Sequence, residues 1–281
     1  MLESTEQEVY SVNAAEYNTT GHHRLGKGTL VVISSVTGST AEMIDAVNRL
    51  HEAGAYVLGF IDNAEAPLAK LADTCITFAG EEQMKFSMVV DRLLWHEGKF
   101  ADYDRFYGQM EQYLAEDLVA VEKQADAFGR AFAEKHVDDP LHYYVGAGAL
   151  FGITYSYAMC YCEEMHWLRT KSIHSAEFFH GTIELCEEGT SLIMLYGEDD
   201  TRKLMDRVDN FTHMLADEKG VNVRVNKFDT AEVELPFSDP EFRKIVSPMV
   251  TYTITERLSC HLEHVRNHPL TTRRYYHQMN Y

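Results

Sequence analysis

TLVVISSVTGSTAEMIDAVNRLHEAGAYVLGFID, residues 29–62, decides the fold. Its opening TLVVISSV is a β-branched, apolar run of the kind that fills a buried strand. TGST at 37–40 interrupts it, and AEMIDAVNRLHEAG at 41–54 places apolar residues at helical spacing before a glycine stop. AYVLGFID at 55–62 returns to strand character. Two buried strands joined by a helix imply parallel pairing through a right-handed crossover. TCITF at 74–78, after the turn-like DNAEAP and a short helical PLAKLAD, is predicted as a third strand. This front part therefore reads as half of an open α/β sheet.

Working outward, residues 1–28 are polar except for VYSVNA at 9–14, which is predicted as a short strand, and GHHRLGKG at 21–28 reads as a loop. Between 81 and 136 apolar residues recur at threes and fours with charges between them, which predicts two or more connecting helices. VDDP at 137–140 marks a boundary. Beyond it the pattern repeats. HYYVG leads through a Gly146, Gly148 turn into an apolar helix from about Ala149 to Leu168. SLIMLYG at 191–197 and VNVRVNKF at 221–228 are strands flanking an amphipathic helix at 199–220, and 242–265 is mostly helical despite Pro248. Two doubly wound parallel-sheet domains follow, with boundaries at 1–80 and 137–281 and a helical connection at 81–136.

The chain has 281 residues and carries 25 Lys and Arg against 44 Asp and Glu, a formal charge of −19. That surface repels nucleic acids and anionic membranes. A small phosphorylated ligand remains compatible, because N–H groups and hydroxyls can hold a phosphate without a basic surface. Five cysteines, Cys75, Cys160, Cys162, Cys186 and Cys260, lie mostly in apolar or helical patterns and suit a reduced cytoplasm rather than a disulfide framework. The Cys160, Cys162 pair has poor zinc spacing and reads as packing. No secretory leader or long uncharged apolar run is evident.

Two clusters carry possible chemistry. Ser35, Thr37, Ser39 and Thr40 sit where a strand becomes a helix, so free N–H groups and hydroxyls there either hold a phosphate or form an ordinary helix cap. The strand, glycine turn and helix start at 142–150 is a second place where N–H groups meet an anion. Glu164, at the end of the apolar helix, is a candidate acid/base whose burial would favour the neutral form, or else the partner of Arg169 or Lys171. His180 either shuttles protons or caps and packs. His174, Glu177 and His180 invite a metal reading, but their spacing is not that of a zinc motif. The tail RNHPLTTRRYYHQMNY is expected to pack back over a subunit or a site.

These residues resemble the sugar isomerase (SIS) domain family, most closely its fructosamine 6-phosphate deglycases, with the isomerase half of glutamine–fructose-6-phosphate aminotransferase as a relative. SSVTGSTAEMI at 34–44 resembles the family's S-x-S-G-x-T phosphate loop, with Thr37 for the second Ser. EMHWLRTKSIHSAEFFHGTIE at 164–184 resembles its E…E-x-x-H-G-P segment, with Thr182 for the proline. RRYYHQMNY at 273–281 resembles the deglycase tail. The resemblance implies that Ser35, Thr37, Ser39 and Thr40 bind phosphate, that Glu164 is the general acid/base, and that His180 is a sugar-ring or proton-transfer residue reaching a neighbouring subunit's site. It implies a homodimer or higher oligomer and a reaction without metal or other cofactor. The substrate would be an N-substituted sugar 6-phosphate cleaved to a hexose 6-phosphate and an amino acid, or, alternatively, one that undergoes aldose–ketose isomerisation or deamination, or is only bound. Tyr161 stands where the aminotransferase relatives have a lysine. Members of the family begin with a strand, a phosphate loop and a helix that precede the point where this sequence starts, so the first domain is expected to lack them.

Overall fold

A computed structural model describes residues 5–276, 278 and 279. The chain forms two compact units, Met1–Tyr103 and Asp104–Tyr281. In the first, three parallel strands stand in the order β1 (Leu30–Ser35), β2 (Tyr56–Ile61), β3 (Thr74–Ile76). The in-register pairs Ile33↔Gly59 and Phe60↔Ile76 belong to these ladders. Helix α1 (Ala14–Thr20), helix α2 (Ala41–Glu52) and helix α3 (Pro67–Leu71) cover one face, and α4 (Glu82–His96) ends the unit.

Strand alternation turns Ile33, Val57 and Ile61 toward Val47 and Leu50 of α2, Leu68 of α3 and Tyr17 of α1, and these residues make the core. Lys85 of α4 is buried, and its Nζ reaches Asp62 Oδ1 at 3.0 Å and Glu82 Oε1 at 3.3 Å. Paired carboxylates make burial of that ammonium tolerable. VYSVNA does not form the expected strand. Residues 8–13 join no ladder, and Asn13 instead caps α1 by accepting from the Glu16 N–H at 3.2 Å. The apolar alternation is present, but no neighbouring strand offers it main-chain partners.

The second unit opens with the 34-residue helix α5 (Tyr103–His136). Its four strands, β4 (His142–Gly146), β5 (Thr170–His174), β6 (Ser191–Tyr196) and β7 (Arg224–Asp229), are parallel and ordered β5-β4-β6-β7. The expectation of two parallel α/β sheets flanked by helices thus holds, with β5 a strand beyond those the sequence predicts. The crossover from β4 to β5 runs through a 3₁₀ turn at Gly148–Leu150, helix α6 (Phe151–Ser156) and a π-helix at Tyr157–Glu163. Helicity therefore stops short of the predicted Leu168. Helix α7 (Arg202–Lys219) ends on Gly220 in the left-handed region, and α8 (Pro240–Arg266) starts with Asp239 capping the Glu241 N–H and ends at left-handed Asn267.

Because β4→β5 and β5→β6 move in opposite directions across the sheet, right-handed crossovers place their connections on opposite faces. The side chains agree. Tyr144 of β4 meets the π-helix, its hydroxyl 3.2 Å from Cys162 Sγ and its ring 5.4 Å from that of Tyr157. The alternate residues Val145, Leu192 and Met194 pack with Phe178 and with Met205 and Val208 of α7.

Two histidines of this unit are buried without hydrogen-bond partners on either ring nitrogen, His142 on β4 and His166 beyond the π-helix. Burial holds both rings neutral and lowers each pKa to about 4. The unfolded chain, with histidines near 6.5, binds these protons more readily, so stability rises with pH between about 4 and 6.5 and falls on acidification. Each ring contributes a loss of roughly 3 kcal/mol by about pH 4. Urea midpoints measured from pH 7.5 to 4 should drop through that window, and His142→Phe should flatten the dependence.

Candidate functional site

In the first unit the hydroxyl cluster occupies the turn between β1 and α2. Gly38 donates its N–H to Ser35 Oγ at 3.0 Å, and Ser39 donates to Thr37 Oγ1 at 3.4 Å. Leu68 N–H donates to the Gly38 carbonyl at 3.0 Å, tying the loop to α3. Gly38 has φ +62°, and a Cβ there would lie 2.5 Å from Ala66 Cβ and 2.7 Å from Ile61 Cγ2. Only glycine meets both conditions. Thr37, Ser39 and Thr40 are exposed. Thr40 is the N-cap residue of α2, yet its side chain makes no capping hydrogen bond. The first N–H groups of a twelve-residue helix therefore sit beside solvent-facing hydroxyls, the arrangement that receives a phosphate.

The corresponding turns in the second unit are filled by the chain itself. Asp199, in the loop between β6 and α7, accepts from the Ala149 N–H at 3.1 Å and from the Thr201 N–H at 2.8 Å. The glycine turn at 146–149, expected from sequence to offer an anion site, is thus satisfied by an internal carboxylate. Where the second unit has GEDDT at 197–201, the first has VTGST at 36–40, which carries no carboxylate. The first unit's turn thus has no carboxylate in the place of Asp199, and its Gly38 and Ser39 N–H groups turn to the loop's own hydroxyls.

Glu164 follows the π-helix directly. Its N–H donates to Met159 O, and the His166 N–H to Tyr161 O, at 3.0 and 2.9 Å. Such five-residue steps widen the helix and are frequent at functional positions. The next residues fold sharply, with Trp167 at φ +56°, a conformation that a bulky residue adopts only when its surroundings enforce it. The C-terminal segment supplies the enforcement. His268 Nε2 lies 3.1 Å from Met165 O, the His268 ring is 4.4 Å from that of Trp167, and the Arg274 guanidinium sits 4.1 Å over the indole. Arg273 reaches Glu164 Oε1 at 3.4 Å. The partner of Glu164 is thus Arg273, not Arg169 or Lys171. The tail packs back as expected, with His277, Asn280 and Tyr281 lying outside the described residues.

Two further residues on this face make a hydroxyl network. Tyr161 Oη is 2.7 Å from Tyr252 Oη and donates to Glu256 Oε1 at 3.4 Å. Burial pushes the Tyr161 hydroxyl up to about 12, so it acts as a proton-bearing donor at neutral pH. The pairing with α8 could not be read from sequence, since the partners are 91 positions apart.

His180 ends a short 3₁₀ turn, Phe178–His180, and is exposed. Its neighbours Phe178 and Phe179 pack on the α7 face of the sheet, whereas the helix leading to Glu164 packs on the other. The second unit therefore does not bring Glu164 and His180 together. His174 ends β5 with its Nδ1 accepting from Ala176 N–H at 3.2 Å, while Glu177 and Glu184 are exposed. Among the described residues no group of three or more His, Cys, Asp or Glu side chains is arranged to hold a metal ion. No described helix is long and apolar enough to cross a membrane.

Two parallel three- and four-stranded sheets in one chain, each flanked by helices, match the tandem SIS-domain fold. The sequence is similar to SIS-domain phosphosugar isomerases and deglycases. Its curated relatives include the fructosamine deglycase of Bacillus subtilis, 27% identical over 99% of this chain and 84% of that protein. Fructoselysine 6-phosphate deglycase of Escherichia coli is 25% identical over 96% of this chain and 77% of its own length. Among solved structures, a Bacillus subtilis protein provisionally named a phosphosugar isomerase superposes with a TM-score of 0.84 at 27% identity, covering 95% of this chain and 82% of that one. No family model matches the sequence.

The packing around Gly38 generates a sharp expectation. Gly38→Ala combines a disfavoured φ with overpacking and should cost about 2 kcal/mol or more. A lowered urea midpoint for the transition of the first unit, followed by hydrogen exchange at β1 and β2, would register it.

Proposed function

We propose that the chain is an enzyme acting on a sugar phosphate, with proton transfer between the first two carbons of the open-chain sugar as its central step. The observation that carries this reading is the contrast between the two strand-to-helix turns. Asp199 closes one, while Ser35, Thr37, Ser39 and Thr40 leave the other open to an anion. On this reading those four residues hold the phosphate. Glu164 removes a proton from the carbon beside the carbonyl or imine and returns it to the neighbouring carbon through an enediol-type intermediate. Arg273, at 3.4 Å, keeps the carboxylate oriented. The product class is that of an aldose–ketose isomerisation or deamination, the reading favoured by the name given to the solved relative.

Deglycation is the second reading, favoured by the names of the curated relatives. It uses the same proton shift on an N-substituted sugar phosphate. Water then attacks the carbon bearing nitrogen, the C–N bond breaks, and an amino acid leaves with the proton it needs. The position of His180 on the opposite sheet face from Glu164 supports a site completed by the histidine of a second copy, and hence a homodimer or larger assembly.

Deuterium incorporation at C1 or C2 of ketose 6-phosphates, or of fructoselysine 6-phosphate, in heavy water tests the common step by NMR. Wild-type protein should exchange, and Glu164→Gln should slow exchange by about 10²- to 10⁴-fold. No exchange into any of these compounds by the folded protein would remove the reading. Release of free lysine separates deglycation from isomerisation. Thr37→Ala should raise KM for the phosphorylated sugar about fivefold to tenfold with little change in kcat. Mixing Glu164→Gln with His180→Ala protein, each inactive alone, should restore about a quarter of wild-type activity if each site draws these groups from two copies.

A further inference from the structure

The buried ammonium of Lys85 stands at the end of the first unit's sheet where the hydroxyl turn lies. Its Nζ meets Asp62 Oδ1 at 3.0 Å and Glu82 Oε1 at 3.3 Å, and its side chain is 2% exposed against 14% for Asp62 and 35% for Glu82. Asp62 immediately follows β2 and donates its N–H to the Ser35 carbonyl at 3.3 Å. Ile61, the residue before it, is one of the side chains that a Cβ on Gly38 would strike. Asp62 thus closes the strand next to the turn, and neighbouring strands stand about 4.8 Å apart. One residue beyond Lys85, Phe86 sets its ring edge-on to Phe60 of β2 with centroids 6.4 Å apart, a contact that holds α4 where the ammonium reaches Asp62.

Anchoring α4 does not by itself explain an ion pair in this place. Taking an ammonium and a carboxylate out of water is costly, and apolar side chains of similar volume hold two elements together at least as well. The second unit offers a comparison. The order β1, α2, β2 recurs there as β6, α7, β7, and Asp229, the last residue of β7, is again matched by a cation. That cation is Arg202, whose Nη1 lies 2.8 Å from Asp229 Oδ1 and 3.0 Å from the Gly197 carbonyl. Arg202 opens α7, so it lies in the turn of its own helix. In the first unit the cation comes instead from α4, and residues 34–44 contain no lysine or arginine. The strand-end carboxylate is neutralised by another helix, and the turn keeps only hydroxyls and N–H groups.

We propose that Lys85 is a positioning residue for the anion of the hydroxyl turn: by offsetting the charge of Asp62 it lets the turn hold a doubly charged phosphate. The inference rests on the turn being the phosphate site. Lys85, Asp62 and Glu82 together carry one negative charge. Without the ammonium they would carry two, one of them on a largely buried carboxylate that salt and water screen poorly. The repulsion felt by a ligand grows with the ligand's own charge, so a dianion is penalised more than a monoanion.

The test uses the full chain and two probes that lack a reacting carbonyl, sorbitol 6-phosphate, a dianion at about pH 7.5, and sorbitol 6-sulfate, a monoanion. Calorimetry gives the affinities, and the Gly38 and Ser39 amide shifts report the place of binding. Asp62→Asn takes the cluster from one negative charge to none and should tighten sorbitol 6-phosphate about threefold to tenfold, and the sulfate by less. Lys85→Met should weaken the phosphate about tenfold or more, again beyond the sulfate, and adding Asp62→Asn to it should recover most of the loss. Where Lys85→Met does not fold, Asp62→Asn and the double variant still decide the matter. An anchoring role alone would weaken both probes alike and would tighten neither. Unchanged or weaker phosphate binding by Asp62→Asn, or equal effects on the two probes, would overturn the role of Lys85 and leave the phosphate turn in place. No saturable binding of sorbitol 6-phosphate by the wild-type protein would overturn the phosphate turn and this inference together.

Discussion

Parallel strands cannot be joined by a tight turn, so each crossover must travel back over one face of its sheet, and the direction of travel selects the face. Most of what distinguishes this molecule follows from that constraint. In the second unit a step one way across the sheet lays the helix carrying Glu164 beside Tyr144 and Tyr157, and a step back lays Phe178 and His180 against α7. Two residues only sixteen positions apart in sequence are thereby parted by the thickness of a sheet. In the first unit the same rule sets the hydroxyl turn at the carboxyl end of β1, where α/β sheets habitually receive ligands.

The internal repetition makes the two turns a natural comparison. Both have a strand, a five-residue loop and a helix whose first N–H groups need an acceptor. In one, Asp199 answers that need from within and fixes the turn after β4 at the same time. In the other, a glycine forced against Ala66 and Ile61 holds hydroxyls outward. The difference between a closed and an open turn thus comes down to GEDDT against VTGST.

Much of this was legible in the sequence. The β-branched runs, the glycine stops of α2 and α7 and the hydroxyl cluster are local signals, and the structure places elements where they indicate. Other features were not local. β5 was hidden because TKSIH is polar and charged, and it is a strand through pairing with β4. VYSVN had the alternation of a strand but no partner, which shows from the other side that a ladder needs two edges. The left-handed Trp167 is packed against residues 268–274, about a hundred positions away. Arg273 as the partner of Glu164 was foreshadowed only by the basic, aromatic character of the tail.

The seating of that tail on Trp167 gives the molecule an optical property. The chain has two tryptophans, and the other, Trp95, belongs to α4 of the first unit under the guanidinium of Arg92. The indole of Trp167, held between an imidazole and a guanidinium within a few residues of Glu164, will change its emission when the C-terminal segment lifts. The protein thus contains a built-in fluorophore whose colour and yield report whether the carboxylate's loop is clasped or released.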